Sequence, residues 1–271
     1  MSHNVIESLV VGKQSAERCE DVLHVSEHYI AIIDGATSLA DHGERKRPGR
    51  IIAELLDAAL HEMAPDLQAR DFFSILSYRI TQSLAPIWRA QEERPTASML
   101  VYSVSRAEVW VLGDGWVGID GHLQQFSIPY ADAYTFLRCA YLHTLIASGT
   151  PVASLLERDA AQALIAPFIR NQAKMQNRLP PPYGYGIMDG APACAEYVRV
   201  LPVGAGREVI LASDGYPAIK DSLAATESYL HELLRKDPLM IHEHPQVKGM
   251  QPGQVSFDDR SYVRFTVPAQ C

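Results

Sequence analysis

A chain of 271 residues is long enough to bury a substantial core and short enough to form one domain, and we read residues 1–271 as a single domain. Its 24 lysines and arginines against 32 aspartates and glutamates give a formal charge of −8, which argues against nucleic acid or an anionic membrane surface as the main partner and leaves carboxylates for other work. Cys19, Cys139, Cys194 and Cys271 form no CxxC pair, so neither a zinc knuckle nor a thioredoxin-like motif is expected. No run approaches the ~18 apolar residues of a membrane span. The N-terminus lacks a basic segment followed by an apolar stretch, so a cytoplasmic protein with reduced cysteines is expected. The sequence leaves the oligomeric state open.

Apolar, β-branched runs predict strands over 5–11, 29–33, 99–104, 108–112, 197–203, 209–212 and 262–267. Helical spacing predicts one pair of helices over about 48–64 and 72–89, with Pro48 suited to a first turn, and a second pair over about 131–148 and 152–176. Each pair carries an apolar stripe and is expected to cover a sheet face. Strand runs separated by paired helices point to a layered α+β fold rather than a doubly wound parallel sheet.

Three apolar strands run into Asp-Gly: Asp34-Gly35, Asp114-Gly115 and Asp214-Gly215. One such corner is an ordinary turn, because Gly supplies positive φ and Asp caps the chain. Three of them, with Glu20-Asp21 and Asp258-Asp259 beside the first and last strands, make a set that converges if the strands share one sheet system. Converging carboxylates repel unless a hard dication neutralises them, and all-oxygen donors without His or Cys spacing suit Mg²⁺ or Mn²⁺.

These residues resemble the PPM, or type 2C, metal-dependent protein phosphatases, in chain order and over nearly the whole length. Arg18-Cys19-Glu20-Asp21 is similar to the family's opening Glu-Asp motif, Ile33-Asp34-Gly35-Ala36-Thr37 to its Asp-Gly corner, and Pro95-Thr96-Ala97-Ser98 to its Thr-Ala segment. Leu112-Gly113-Asp114-Gly115, Ala212-Ser213-Asp214-Gly215 and Phe257-Asp258-Asp259-Arg260-Ser261 resemble the Gly-Asp-Ser, Ser-Asp-Gly and Asp-Asn-x-Thr motifs. Each is weak alone; six in order are specific in combination.

The resemblance implies a central antiparallel β-sandwich with helix pairs outside both sheets, and a centre of two Mn²⁺ or Mg²⁺ ions. Asp34 would bridge them. The Gly35 carbonyl, Asp21, Asp214 and Asp258 would complete the shells, with Glu20 in the opening motif and Asp114 at a weaker third ion. It also implies attack on phosphoserine or phosphothreonine, in a phosphorylated protein or peptide, by metal-activated water.

The sequence departs from the family in two places. Ala16 stands where the family has its phosphate-gripping Arg, leaving Arg18 as the nearest replacement, and Leu39 stands where many members have His, leaving His42 as the candidate acid. Arg45-Lys46-Arg47 with Arg50 is a candidate phosphate-attracting stretch, and 180–186 a candidate loop over the site. Trp88, Trp110 and Trp116 read as packing residues. No Gly-x-Ser-x-Gly elbow occurs, so a nucleophilic hydrolase is poorly supported. A haloacid-dehalogenase-type phosphatase requires Asp where Ala36 stands, and an actin-like fold requires the glycine one place later. The stronger rivals are a PPM-like sensory or binding module with little catalysis, and a phosphatase of a small metabolite.

Overall fold

The computed structural model describes residues 4–36, 47–86, 88, 94–179 and 182–268. The strands are β1 (Asn4–Val11), β2 (Asp21–Val25), β3 (Tyr29–Ala36), β4 (Thr96–Ser103), β5 (Glu108–Leu112), β6 (Gly115–Ile119), β7 (His122–Phe126), β8 (Arg199–Pro202), β9 (Glu208–Ala212) and β10 (Arg260–Thr266). They form two five-stranded antiparallel sheets, one in the order β2-β3-β4-β5-β8 and the other β1-β10-β9-β6-β7. The helices are α1 (Pro48–Leu60), α2 (Ala69–Leu84), α3 (Pro129–Ala147), α4 (Val152–Glu157), α5 (Ala161–Asn171) and α6 (Leu223–Lys236). The fold is α+β, a sandwich with helices packed outside it.

Strand β3 explains the layering. Tyr29, Ala31 and Ile33 point into a core shared with Ile52, Leu56, Phe72 and Leu76 of α1 and α2. Ile30 and Ile32, pointing the other way, meet Val209, Leu211, Val263 and Phe265 of the facing sheet. Burial on both faces is why this strand reads as an unbroken apolar run rather than an alternating one. On the far side, α6 lays Leu230, Leu233 and Leu234 against Ile210, Ala212 and Tyr262 of the second sheet.

Three strands and one helix escaped the periodicity. β2 contains Asp21 and His24, β6 has two glycines, and β7 is a polar, exposed edge strand. Helix α6 carries its apolar residues at wide spacing and is started by Ser222, whose hydroxyl accepts the Ala225 N–H at 3.1 Å. The helix predicted over 152–176 is broken into α4 and α5, because the Asp159 carboxylate caps the new start at Ala161 N (2.9 Å) and holds Arg138 (2.7 Å). Its apolar side, with that of α3, packs on Leu239 and Ile241 rather than on a strand. Trp88 and Trp110 are buried, and Trp116 packs partly buried beside α6, donating its N–H to the Tyr216 carbonyl at 2.8 Å.

Among the described residues no helix is long and apolar enough to cross a membrane.

Candidate metal centre

The expected corner at Asp34-Gly35 is not a turn. β3 continues through both residues, still paired to β4, with Asp34 opposite Ser98 and Gly35 opposite Ala97. On its other side Asp34 stands directly opposite Asp21 of β2. Like charges directly opposite on neighbouring strands are destabilising, so this register needs a compensating positive charge. Gly35 is required by packing: a Cβ there would fall 2.2 Å from the Gly49 carbonyl oxygen, because the start of α1 lies against the strand. Asp114 is set differently, between Gly113 and Gly115, both at positive φ, and its carboxylate accepts the Ser98 hydroxyl.

The second sheet reaches the same place. Ser213, just after β9, and Ser261, in β10, donate their hydroxyls to Asp21 Oδ2 at 2.7 and 2.8 Å. They also bind each other's backbone, Ser213 N to Ser261 O at 3.0 Å and Ser261 N to Ser213 Oγ at 2.9 Å. Asp21 Oδ1 is buried with no hydrogen-bond partner among the described residues. Asp34, Asp114, Asp214 and Asp258 are half-buried, so they form a rim around the enclosed Asp21.

Charge binds these residues into one cluster. Burial, then Asp21, Asp214, Asp258 and Asp114, push the Asp34 carboxyl well above its usual range. Burial also raises Asp21 to about 7 against the two serine hydrogen bonds, and raises Asp214 to about 7 with Asp114 and Asp258 adding to it. Burial raises Asp114, opposed by Ser98. Asp258 goes the other way: Lys248 and Lys13 outweigh its burial and hold it below its usual range. An all-oxygen donor set with an orphaned buried oxygen fits a hard dication. Among the described residues one trio of metal-type ligand atoms lies mutually within 4.8 Å, and it is not drawn from these carboxylates.

Lys13 and Lys248 were not singled out in the sequence. Lys13 Nζ lies 3.1 Å from Asp258 Oδ1 and 3.3 Å from Asp259 Oδ2, and Lys248 Nζ lies 2.7 Å from Asp258 Oδ2. Asp259 is otherwise occupied by backbone, accepting Lys13 N at 2.7 Å and Glu20 N at 3.1 Å. Nothing in the spacing of two isolated lysines foretells this. Ser98, Ser213 and Ser261 were inside the quoted motifs, but as neighbours of the aspartates rather than as their hydrogen-bond donors.

Arg18 lies on an exposed 3₁₀ turn (Ala16–Arg18), not a strand, and its guanidinium meets Gln14 Oε1 at 2.8 Å. Glu20 is buried beside Gly49. Arg47 and Arg50 reach the backbone before β2: Arg47 donates to the Glu17 carbonyl, Arg50 to those of Cys19 (3.1 Å) and Asp21 (3.5 Å). They fasten the segment carrying Glu20 and Asp21. His42, Arg45 and Lys46 lie outside the described residues, as do Pro180 and Pro181. Tyr185 of the 180–186 segment is buried, and the charge of Asp114 reaches both it and Tyr134 of α3. Burial pushes the Cys19 thiol up to about 12, so it is no thiolate nucleophile.

Solved phosphatase structures share the fold of this chain over almost its whole length. A bacterial serine phosphatase matches with a TM-score of 0.51 at 13% identity, covering 98% of both chains. The S. agalactiae serine/threonine phosphatase matches at 0.50 and 12%, over 96% of this chain and 99% of that one. The PPM Ser-Thr phosphatase of Mycobacterium smegmatis, solved with cacodylate, reaches 0.47 at 16%, over 97% and 99%, and adds no weight to the first two. At these identities the likeness is one of fold, and this chain has the PPM phosphatase fold. No family model and no curated protein matches its sequence.

Proposed function

We propose that the chain is a metal-dependent phosphohydrolase that removes phosphate from phosphoserine or phosphothreonine in a protein or peptide, working as one domain over residues 1–271. The observation that carries this reading is Asp21 facing Asp34 across paired strands, with three further carboxylates raising Asp34 and a buried Asp21 oxygen that has no hydrogen-bond partner among the described residues. Asp21, Asp34, Asp214, Asp258 and the Gly35 carbonyl would hold two Mn²⁺ or Mg²⁺ ions, with Glu20 nearby and Asp114 at a weaker third. Ions bound there would supply acidification of the attacking water and charge neutralisation on the phosphoryl oxygens. Ser213 and Ser261 orient Asp21 and oppose the rise that burial imposes on it, while Lys13 and Lys248 orient Asp258 and keep it ionised. Arg18 as phosphate grip and His42 as leaving-group acid rest on the resemblance alone.

Two observations favour a second reading, a binding or sensory module with little catalysis. Asp258 already carries two ammonium groups, and Ala16 replaces the usual Arg. The test is hydrolysis of p-nitrophenyl phosphate and a phosphothreonine peptide with Mn²⁺, Mg²⁺ or chelator, in the native chain, Asp34→Asn and Asp214→Asn. Metal-dependent turnover that falls at least about a hundredfold in both variants supports the phosphatase. Turnover of the aryl phosphate without the peptide points to a small phosphorylated substrate. No turnover by the folded, metal-supplemented native chain sinks the enzyme and favours the module.

A further inference from the structure

β2 carries a second ligand-type side chain on the face opposite Asp21. Side chains alternate along a strand, so His24 shares its face with Val22, which packs on the core of α1 and α2, while Leu23 packs between the sheets. His24 is 2% exposed, and its Nδ1 lies 2.8 Å from Asp57 Oδ1 in α1. Asp57 and His61 are four residues apart at the end of that helix, where His61 keeps helical dihedrals, so they project on one face. The His24 and His61 rings meet edge to face at 4.7 Å between centroids. One ligand atom from each of the three residues lies within 4.8 Å of the others.

We propose that His24, Asp57 and His61 form a binding site for a borderline transition-metal dication of the Zn²⁺ type, separate from the strand-end carboxylates. Two imidazole nitrogens and one carboxylate oxygen match the donors that Zn²⁺, Co²⁺ and Ni²⁺ select, whereas Mg²⁺ prefers oxygen alone. Burial holds the His24 imidazole below its usual range, against the pull of Asp57, so it is neutral at neutral pH, the form that ligates. No Lys or Arg competes for Asp57 among the described residues. His61 is exposed at the helix end, so the site opens to solvent and its third ligand is free to close. Tetrahedral bonds of about 2.0–2.2 Å place donors roughly 3.4 Å apart, between the 2.8 Å of the His24–Asp57 contact and the 4.8 Å within which the whole trio lies. Three residues along β2 span roughly 10 Å, so the ion would clamp β2 to α1 behind the acidic centre rather than within it. The fourth coordination position is left to water.

The test is titration of the full chain with Co²⁺ and with Zn²⁺ in excess Mg²⁺, which occupies oxygen-only sites, read by calorimetry and by the visible spectrum of nitrogen-ligated Co²⁺. The native chain should take up one Co²⁺ that Zn²⁺ displaces. His61→Ala and Asp57→Asn, both at solvent-reachable positions, should weaken uptake at least about tenfold, while Asp34→Asn should leave it unchanged. No uptake by the native chain, or equal uptake by His61→Ala and Asp57→Asn, overturns the proposal. Loss of uptake in Asp34→Asn assigns the ion to the acidic centre and overturns it as well.

Discussion

Two aspartate pairs sit at the same edge of the sandwich and solve the same problem in opposite ways. Asp258 and Asp259, before β10, are met by two ammonium groups and three backbone N–H groups. Asp21 and Asp34, across β2 and β3, face each other with serine hydroxyls on one Asp21 oxygen and, among the described residues, no hydrogen-bond partner on the other. Identical side chains therefore end on opposite sides of their usual titration range, Asp258 below it and Asp34 above it. A carboxylate given cations by its own chain is settled on folding, whereas one paired with a carboxylate needs a bound proton or an added cation to relieve the repulsion. The acidic edge is thus half self-neutralised and half open.

That contrast can be broken from the self-neutralised side with the largest effect. Lys13→Ala strands Asp258 and Asp259 in a partly buried place and should cost about 3 kcal/mol in chelator, read as a lower denaturant midpoint, with part of the loss recovered by Mg²⁺. A loss that Mg²⁺ leaves untouched would mean that the lysine does not stand in for a metal-type charge. Removing a donor from the open side is the next largest change. Ser261→Ala takes away one of the two hydroxyls on Asp21 and should cost about 2 kcal/mol under the same conditions; a neutral outcome would show that Asp21 is already protonated there.

Relieving the repulsion should work in the other direction. Asp34→Asn is expected to stabilise the chelated protein by up to ~1 kcal/mol while abolishing the rise in Tm expected of the native chain on adding Mg²⁺ or Mn²⁺. If the variant is less stable in chelator, the facing pair is not a source of strain.

The mildest probe is pH. Asp21 and Asp214, raised to about 7, keep protons in the folded state that the unfolded chain releases near its ordinary 3.8. Their stabilisation is complete below that ordinary value and is lost as pH rises through about 7. Thermal melts in chelator should therefore give a Tm that falls from about pH 5 to about pH 8, and Mg²⁺ should flatten the slope. A flat profile without metal would argue that these carboxylates are ionised throughout.

By itself the sequence determined the strongest strands, the layered α+β class and the identity of the aspartates that meet at the edge. Those features are local: apolar periodicity and Asp-Gly punctuation act over a few residues and are written in consecutive letters. Weak strands such as β2 and β7 became strands only because their neighbours pair with them, since a polar or half-buried strand has little pattern of its own. The break between α4 and α5 depended on Asp159 finding Arg138. Register was decided only in three dimensions as well, and register is what turned an expected corner at Asp34 into a paired strand opposite Asp21. Lys13 and Asp258 are separated by 245 positions, and no local rule links residues so far apart. Which carboxylates are neutralised by the chain's own cations and which face one another is therefore a property of the tertiary structure, because charge acts through space and not along the chain.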